Sequence, residues 1–246
     1  MTVLADQVAV VTGATSGIGK AIALGFAAQG TTLCLVGRKL ETLEVVAESA
    51  RATASRVLKY QIDLTRDKDI QDLTAHLERD VGFVDMLIHS AGVFSLGRLE
   101  SEPLENLDWQ YRTNVRAPYA LTKALLPMLR SRRGQVVFIN SSRGVSAGAG
   151  AGQYAATKHA LKALADSLRE EVNADGVRVL SLFLGRTASP MQAAIHKLEG
   201  TAYYPERLLQ PEDVASVVIN ALSLPRTAEV TDISIRPMMK PGFHGS

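Results

Sequence analysis

Short apolar runs and helical repeats take turns along the whole chain. The runs at 7–12, 32–36, 57–61, 86–90, 135–140, 177–183 and 230–235 are mostly continuous stretches rather than strict apolar–polar alternations. Runs of this length predict strands, and their continuity predicts strands covered on both faces, as in a parallel sheet. Between them apolar residues recur three or four positions apart. Leu161, Leu164, Ala165, Leu168 and Val172 form one such helical stripe. Seven strands joined by helical crossovers predict an α/β fold with a doubly wound parallel sheet and helices on both faces. No Pro/Gly/Ser linker and no internal repeat interrupts the pattern, so one domain over 1–246 is expected. Two stretches escape it. "GVSAGAGAG" at 144–152 lies between a strand and a helix and reads as an active-site loop. Residues 190–210, with Tyr203 and Tyr204, read as a substrate flap or equally as a surface helix.

Composition narrows the function classes. With 246 residues, 46% of them apolar and 21% charged, the chain can bury a large core. Its 27 basic and 25 acidic residues give no polyelectrolyte signal, so no nucleic-acid partner is expected. Cys34 is the only cysteine, which rules out a disulfide framework and a thiolate metal cluster and suits a reducing compartment. His76, His89, His159, His196 and His244 show no ligand spacing, and no metal is expected. No run approaches the length of a membrane span and no leader pattern opens the chain. The expectation is a soluble, cytoplasmic protein without a membrane partner.

The first predicted strand runs into "VVTGATSGIGKAIA", residues 10–23. Gly13, Gly17 and Gly19 lie between that strand and a helix, where glycine lets backbone turn tightly and approach a pyrophosphate. The N–H groups and the positive dipole end at the helix start then face the anion. Gly13, Thr15, Ser16, Gly17, Ile18 and Gly19 are therefore expected to bind a dinucleotide. At the end of the second strand an acidic residue commonly holds a ribose 2′-hydroxyl, but "LCLVGRKL" has Arg38 and Lys39 there. Two cations suit a 2′-phosphate and favour NADP(H) over NAD(H).

"QYAATKHALKAL" sets Tyr154 and Lys158 four apart, on one face of a helix. A free phenol is a weak acid near neutrality, and a neighbouring ammonium favours its ionised form. Together with "TGATSGIG" at 12–19, Asn114 in "TNV" and the serines of "VVFINSS", this pair resembles the compact branch of the short-chain dehydrogenase/reductase family. The resemblance runs from about residue 6 to about residue 236 and implies a Rossmann-type fold. It also implies a catalytic group of Tyr154, Lys158, Asn114 and a serine. In that group Tyr154 is acid in reduction and base in oxidation, the serine hydroxyl donates to the substrate oxygen, and Asn114 holds Lys158 through a water. Ser141, 13 residues before Tyr154, fits the pattern better than Ser142. Asn114, Tyr154 and Lys158 are expected to meet the cofactor as well.

Two departures from the family pattern stand out. "HSAG", His89 to Gly92, replaces an Asn-Asn-Ala-Gly segment, leaving Ala91 and Gly92 against the cofactor and His89 as a sheet-end structural residue. "FLGRTASPM" lacks the usual proline before Gly185, and Thr187 and Ser189 are expected beside the nicotinamide. Asp63 either approaches the adenine or caps the helix near Arg66. Phe94, Leu96, Arg143, Val145, Met191 and Tyr203 are expected to shape a mostly apolar substrate site, with Arg143 and Arg186 leaving room for an acidic group. The implied activity is NADP(H)-dependent interconversion of an alcohol and an aldehyde or ketone. A binding-only NADP(H) sensor of the same fold is the alternative. A sugar-nucleotide epimerase usually needs more chain after Gly185. The family also implies a homodimer or homotetramer built through helices near 110–130 and 154–172.

Overall fold

A computed structural model describes residues 2–239 of the chain. Seven strands, β1 (Val8–Thr12), β2 (Thr32–Gly37), β3 (Arg56–Gln61), β4 (Met86–His89), β5 (Gln135–Ser141), β6 (Arg178–Leu184) and β7 (Asp232–Ile235), form one sheet in the order β3-β2-β1-β4-β5-β6-β7. Every pairing is parallel, with Val11 opposite both Leu35 and Ile88 and Ser141 opposite Leu184. The crossovers carry α1 (Gly17–Ala27), α2 (Leu40–Ala50), α3 (Asp67–Asp80), α4 (Leu104–Tyr111), α5 (Ala117–Arg132), α6 (Gly152–Val172), α7 (Pro190–Leu198) and α8 (Pro211–Leu222).

The continuous apolar runs are explained by two cores. Successive strand residues point to opposite faces, so Ala9 and Val11 of β1 pack with α1, α2 and α8, whereas Val8 and Val10 pack with α3, α5 and α6. Cys34 is buried in the second core, which pushes its thiol up to about 12 and leaves it inert. β7 differs from the others. It starts two residues later than expected, and its residues alternate between exposed and half-buried, as suits the sheet edge.

Strand order reverses at β1, which lies between β2 and β4, so a crevice opens beyond the carboxyl ends of β1 and β4. Thr12 closes its floor. Its hydroxyl donates to the Ile88 carbonyl at 3.1 Å and accepts from the N–H groups of Ser90 and Ala91 at 3.1 and 3.2 Å. The stretch expected as a flap or helix at 190–210 contains α7, capped by Ser189, whose hydroxyl accepts from Gln192 N at 3.1 Å. A π-helical turn, Arg112–Arg116, joins α4 to α5 and contains Asn114. Among the described residues no helix is long and apolar enough to cross a membrane.

Candidate active site

The glycine loop is tight because backbone passes where side chains would stand. Gly13 has φ +65°, and a Cβ there would lie 2.8 Å from the backbone of Ala91. A Cβ on Gly19 would lie 2.3 Å from the Gly13 carbonyl oxygen. Gly17, at φ +50°, opens α1. The first turn of α1 holds no acidic side chain, and Ser16 makes no capping bond, so its leading N–H groups are free for an anion.

A cleft of about 260 Å³ follows this loop, lined by Gly13, Thr15, Ser16, Gly17, Ile18, Gly19, Arg38, Asp63, Ala91, Gly92 and Ser189 among others. Arg38 is exposed at its rim and enters no ion pair among the described residues. Lys39 does not line it, a correction to the expected pair of cations. Lys39 occupies the capping position of α2, where its carbonyl accepts from Thr42 and Leu43, and its side chain is exposed. Asp63 lines the cleft but does not cap α3. It forms a local turn, accepting from the N–H and hydroxyl of Thr65 at 3.0 and 2.7 Å, while Arg66 precedes the helix. Burial pushes its carboxyl up, but the Thr65 bonds and Arg38 outweigh that and leave it below the usual carboxylate range.

A second cavity of about 630 Å³ meets the cleft along Ile18, Ser90, Gly92, Val93, Ser189 and Met191. Tyr154, Lys158, Ser141 and Ser142 stand on its wall, with Gly185 and Thr187 opposite β5 at the end of β6. One helical turn sets Lys158 Nζ 5.8 Å from the Tyr154 ring centroid. Ser141 ends β5 with its hydroxyl accepting from Arg143 N at 3.1 Å and standing beside the Tyr154 phenol. Ser142 opens a short turn, and its side chain is exposed. Of the two serines, Ser141 is the one in contact with Tyr154.

The electrostatics differ from expectation. Burial pushes the Tyr154 phenol up, and the Ser141 bond draws it part of the way back. Burial also lowers Lys158 to about 8. The ammonium does not overcome desolvation of the phenol because Nζ is turned to the Ile139 carbonyl, 3.1 Å away. Asn114 differs too. Its amide accepts from Val93 N at 2.9 Å and donates to Val93 O at 2.8 Å and Thr157 Oγ1 at 3.1 Å. These bonds clamp the loop after β4 to α6, one residue before Lys158.

Two positioning residues went unread in the sequence. Asn140, 3% exposed, donates to the Lys158 carbonyl at 3.2 Å and accepts from Ser141 N at 2.8 Å, locking the serine to the lysine's helix. Thr12 is the other. An amide at the end of a buried strand, just before the serines, was the available signal for Asn140. His89 is structural as expected: buried, stacked on Phe138 at 4.9 Å and hydrogen-bonded to Thr122 at 2.8 Å.

Of the expected substrate residues, Leu96, Arg143 and Met191 line the cavity. Phe94, Val145 and Tyr203 do not. Phe94 lies half-buried in the irregular stretch after β4, outside the cavity wall. Val145 closes the turn after β5 and is 53% exposed. Tyr203 packs edge-on against His196, 5.2 Å between centroids. Arg186 lines the cavity with its guanidinium forked onto Glu199 at 2.8 and 2.8 Å.

The short chain dehydrogenase family model matches residues 7–200. The chain belongs to that family and is an oxidoreductase of it. It is 31% identical to an uncharacterized oxidoreductase of Staphylococcus aureus, over 97% of this chain and 100% of the other. It is 32% identical to a glycine betaine reductase of Emericella nidulans, but spans only 19% of that longer protein. Among solved structures it resembles an alcohol dehydrogenase from the archaeon Thermococcus sibiricus complexed with 5-hydroxy-NADP. The TM-score is 0.87 at 26% identity, over 96% of this chain and 99% of that one.

Proposed function

We propose that the protein is an NADP(H)-dependent oxidoreductase interconverting an alcohol and an aldehyde or ketone, with Tyr154 as acid and base. The observation that carries this reading is the junction of the two cavities, where Tyr154, Ser141 and Lys158 face the space adjoining the glycine cleft. The cleft suits a phosphate-bearing dinucleotide: side-chain-free backbone at Gly13 and Gly19, an uncapped helix start, and Arg38 at the rim in place of a carboxylate. When bound, the dinucleotide supplies or accepts a hydride. This chain acts at the substrate oxygen. Ser141 Oγ accepts from Arg143 N–H, which leaves its own proton to be donated, toward the Tyr154 phenol at rest and to a carbonyl oxygen once a substrate is bound. Tyr154, held protonated by burial, gives its proton as that oxygen gains an electron pair, and takes one back in oxidation. Lys158 supplies the positive charge that stabilises the resulting phenolate. A binding-only sensor has no use for a buried ammonium beside a phenol, and nothing in the site favours that reading.

NADPH oxidation over a panel of aldehydes and ketones tests the proposal. Tyr154→Phe is expected to lower turnover by about 10²–10⁴-fold while NADPH affinity, read by fluorescence titration, is retained. Turnover at the wild-type rate would remove Tyr154 from its role. Arg38→Asp is expected to move preference from NADPH toward NADH, and an unaltered ratio would mean that Arg38 does not hold the 2′-phosphate.

A further inference from the structure

Three arginines line the larger cavity, and the fold answers the charge of two of them. Arg186 is forked onto Glu199, and Arg98 Nε meets Glu100 at 2.7 Å. Arg143 uses only its backbone N–H, on Ser141 Oγ. The residue is half-buried, and its guanidinium donates to no acceptor and pairs with no carboxylate among the described residues. A guanidinium presents five N–H donors and keeps its charge at any working pH. Lining the cavity with no acceptor of its own, such a group fits an anion that arrives with the substrate.

Gly148 gives a second, independent observation. A Cβ built on it would lie 2.6 Å from Arg143 Nη1, 3.3 Å from Cζ and 3.4 Å from Nη2. The guanidinium therefore lies against a bare α-carbon, in the Gly/Ala-rich loop that the sequence singles out. That loop is fixed in turn, because Gly97 N–H donates to the Gly150 carbonyl at 2.9 Å and ties together two walls of the cavity. The rest of the wall includes Leu96, Met191, Ile195 and Leu198, which suit a short carbon chain.

We propose that Arg143 is a specificity-determining residue that holds the carboxylate of an oxo acid, or of the hydroxy acid formed from it. This rests on the oxidoreductase reading above and names the substrate class for that same site. The guanidinium fork matches the two carboxylate oxygens in a bidentate pair. Arg143 hangs from the same turn as Ser141, so the anionic group and the reacting carbonyl belong to one small molecule. The chemistry balances without touching the carboxylate: hydride adds to the carbonyl carbon, the carbonyl π pair moves to oxygen, and Tyr154 supplies the proton.

The test compares oxo acids, with the carbonyl at increasing distance from the carboxylate, against their own methyl esters. Wild-type kcat/KM is expected to favour the acid at least tenfold at one or more chain lengths, chiefly through KM. Arg143→Gln should bring the acid-to-ester ratio close to one, and Arg143→Lys should keep part of it. Gly148→Ala leaves every charge in place but displaces the fork, and should also lower the ratio. Ratios near one across the wild-type panel, or a preference that survives Arg143→Gln, would overturn the proposal. If no carbonyl turns over, that result counts against the oxidoreductase reading, and binding decides the present one. Hydroxy acids and their methyl esters are then titrated into NADPH-loaded protein while its fluorescence is followed. Acid-selective binding lost in Arg143→Gln supports the assignment, and equal binding of acid and ester refutes it.

Discussion

Burial acts on Lys158 and Tyr154 in one direction, toward the uncharged form, because each gives up hydration that its partners only partly replace. For Lys158 this has a consequence for stability. The unfolded lysine keeps its proton up to about 10.4, whereas the folded one releases it near 8. The folded protein is thus penalised by the buried charge below about 8, and the penalty fades as pH rises toward the unfolded value. Lys158→Met removes the penalty, on the order of 3 kcal/mol from a shift of that size, less the bond to the Ile139 carbonyl. The expected outcome is a higher Tm than wild type at pH 7, a gap that narrows by pH 10, and loss of turnover. Cys34, Tyr60 and Tyr154, all raised by burial, pull stability the opposite way at alkaline pH. The measurement is therefore the difference between variant and wild type in paired melting curves, and a difference that does not change with pH would refute the buried charge.

Among the elements, the ends of β1, β4 and β5 carry the site, and each end is held by one polar side chain. Thr12 on β1 serves three backbone groups of β4 and the following loop. Thr12→Val keeps the shape but strands the Ser90 and Ala91 N–H groups, at about 1–3 kcal/mol. It is expected to lower the urea midpoint and weaken NADPH binding together, because Ala91 also backs the Gly13 turn. A lowered midpoint with unchanged NADPH affinity would separate the floor from the cleft. Such links show what the amino-acid pattern carried and what it did not. Strands were legible because burial on both faces demands unbroken apolar runs, and the Tyr154–Lys158 pair was legible because helical spacing is local. β7 was overextended because an edge strand lacks that demand. Asn140, Thr12 and the true bonds of Asn114 depend on which loops meet in space, which no local spacing encodes. Arg38 and Lys39 are neighbours in sequence, yet only one reaches the cleft, because the chain turns into α2 between them and the next residue.

For the whole molecule, the outer surface of α4 and α5 poses the remaining question. Leu104, Trp109 and Tyr111 of α4 are 73%, 41% and 50% exposed, and Tyr119 of α5, inside the 110–130 stretch that the family resemblance implies as an assembly face, is 55% exposed. Tyr119 is a large aromatic side chain left in water on α5, which fits a protein interface better than a solvated face. We propose that two copies associate through α5 and α6. In a two-fold interface the same patch meets itself, so one substitution acts twice. Tyr119→Glu places a charge from each copy in the contact without disturbing either core, since Tyr119 belongs to neither. A penalty of about 3 kcal/mol would weaken association on the order of a hundredfold. Sedimentation velocity should show wild type as a dimer or larger at micromolar concentration and the variant shifted toward monomer, with its melting transition preserved. A wild-type monomer at that concentration, or an unshifted variant, would place the aromatic residues outside any interface. The glycine cleft takes no residue from α5 or α6, so the monomeric variant should still bind NADPH, which separates assembly from cofactor binding.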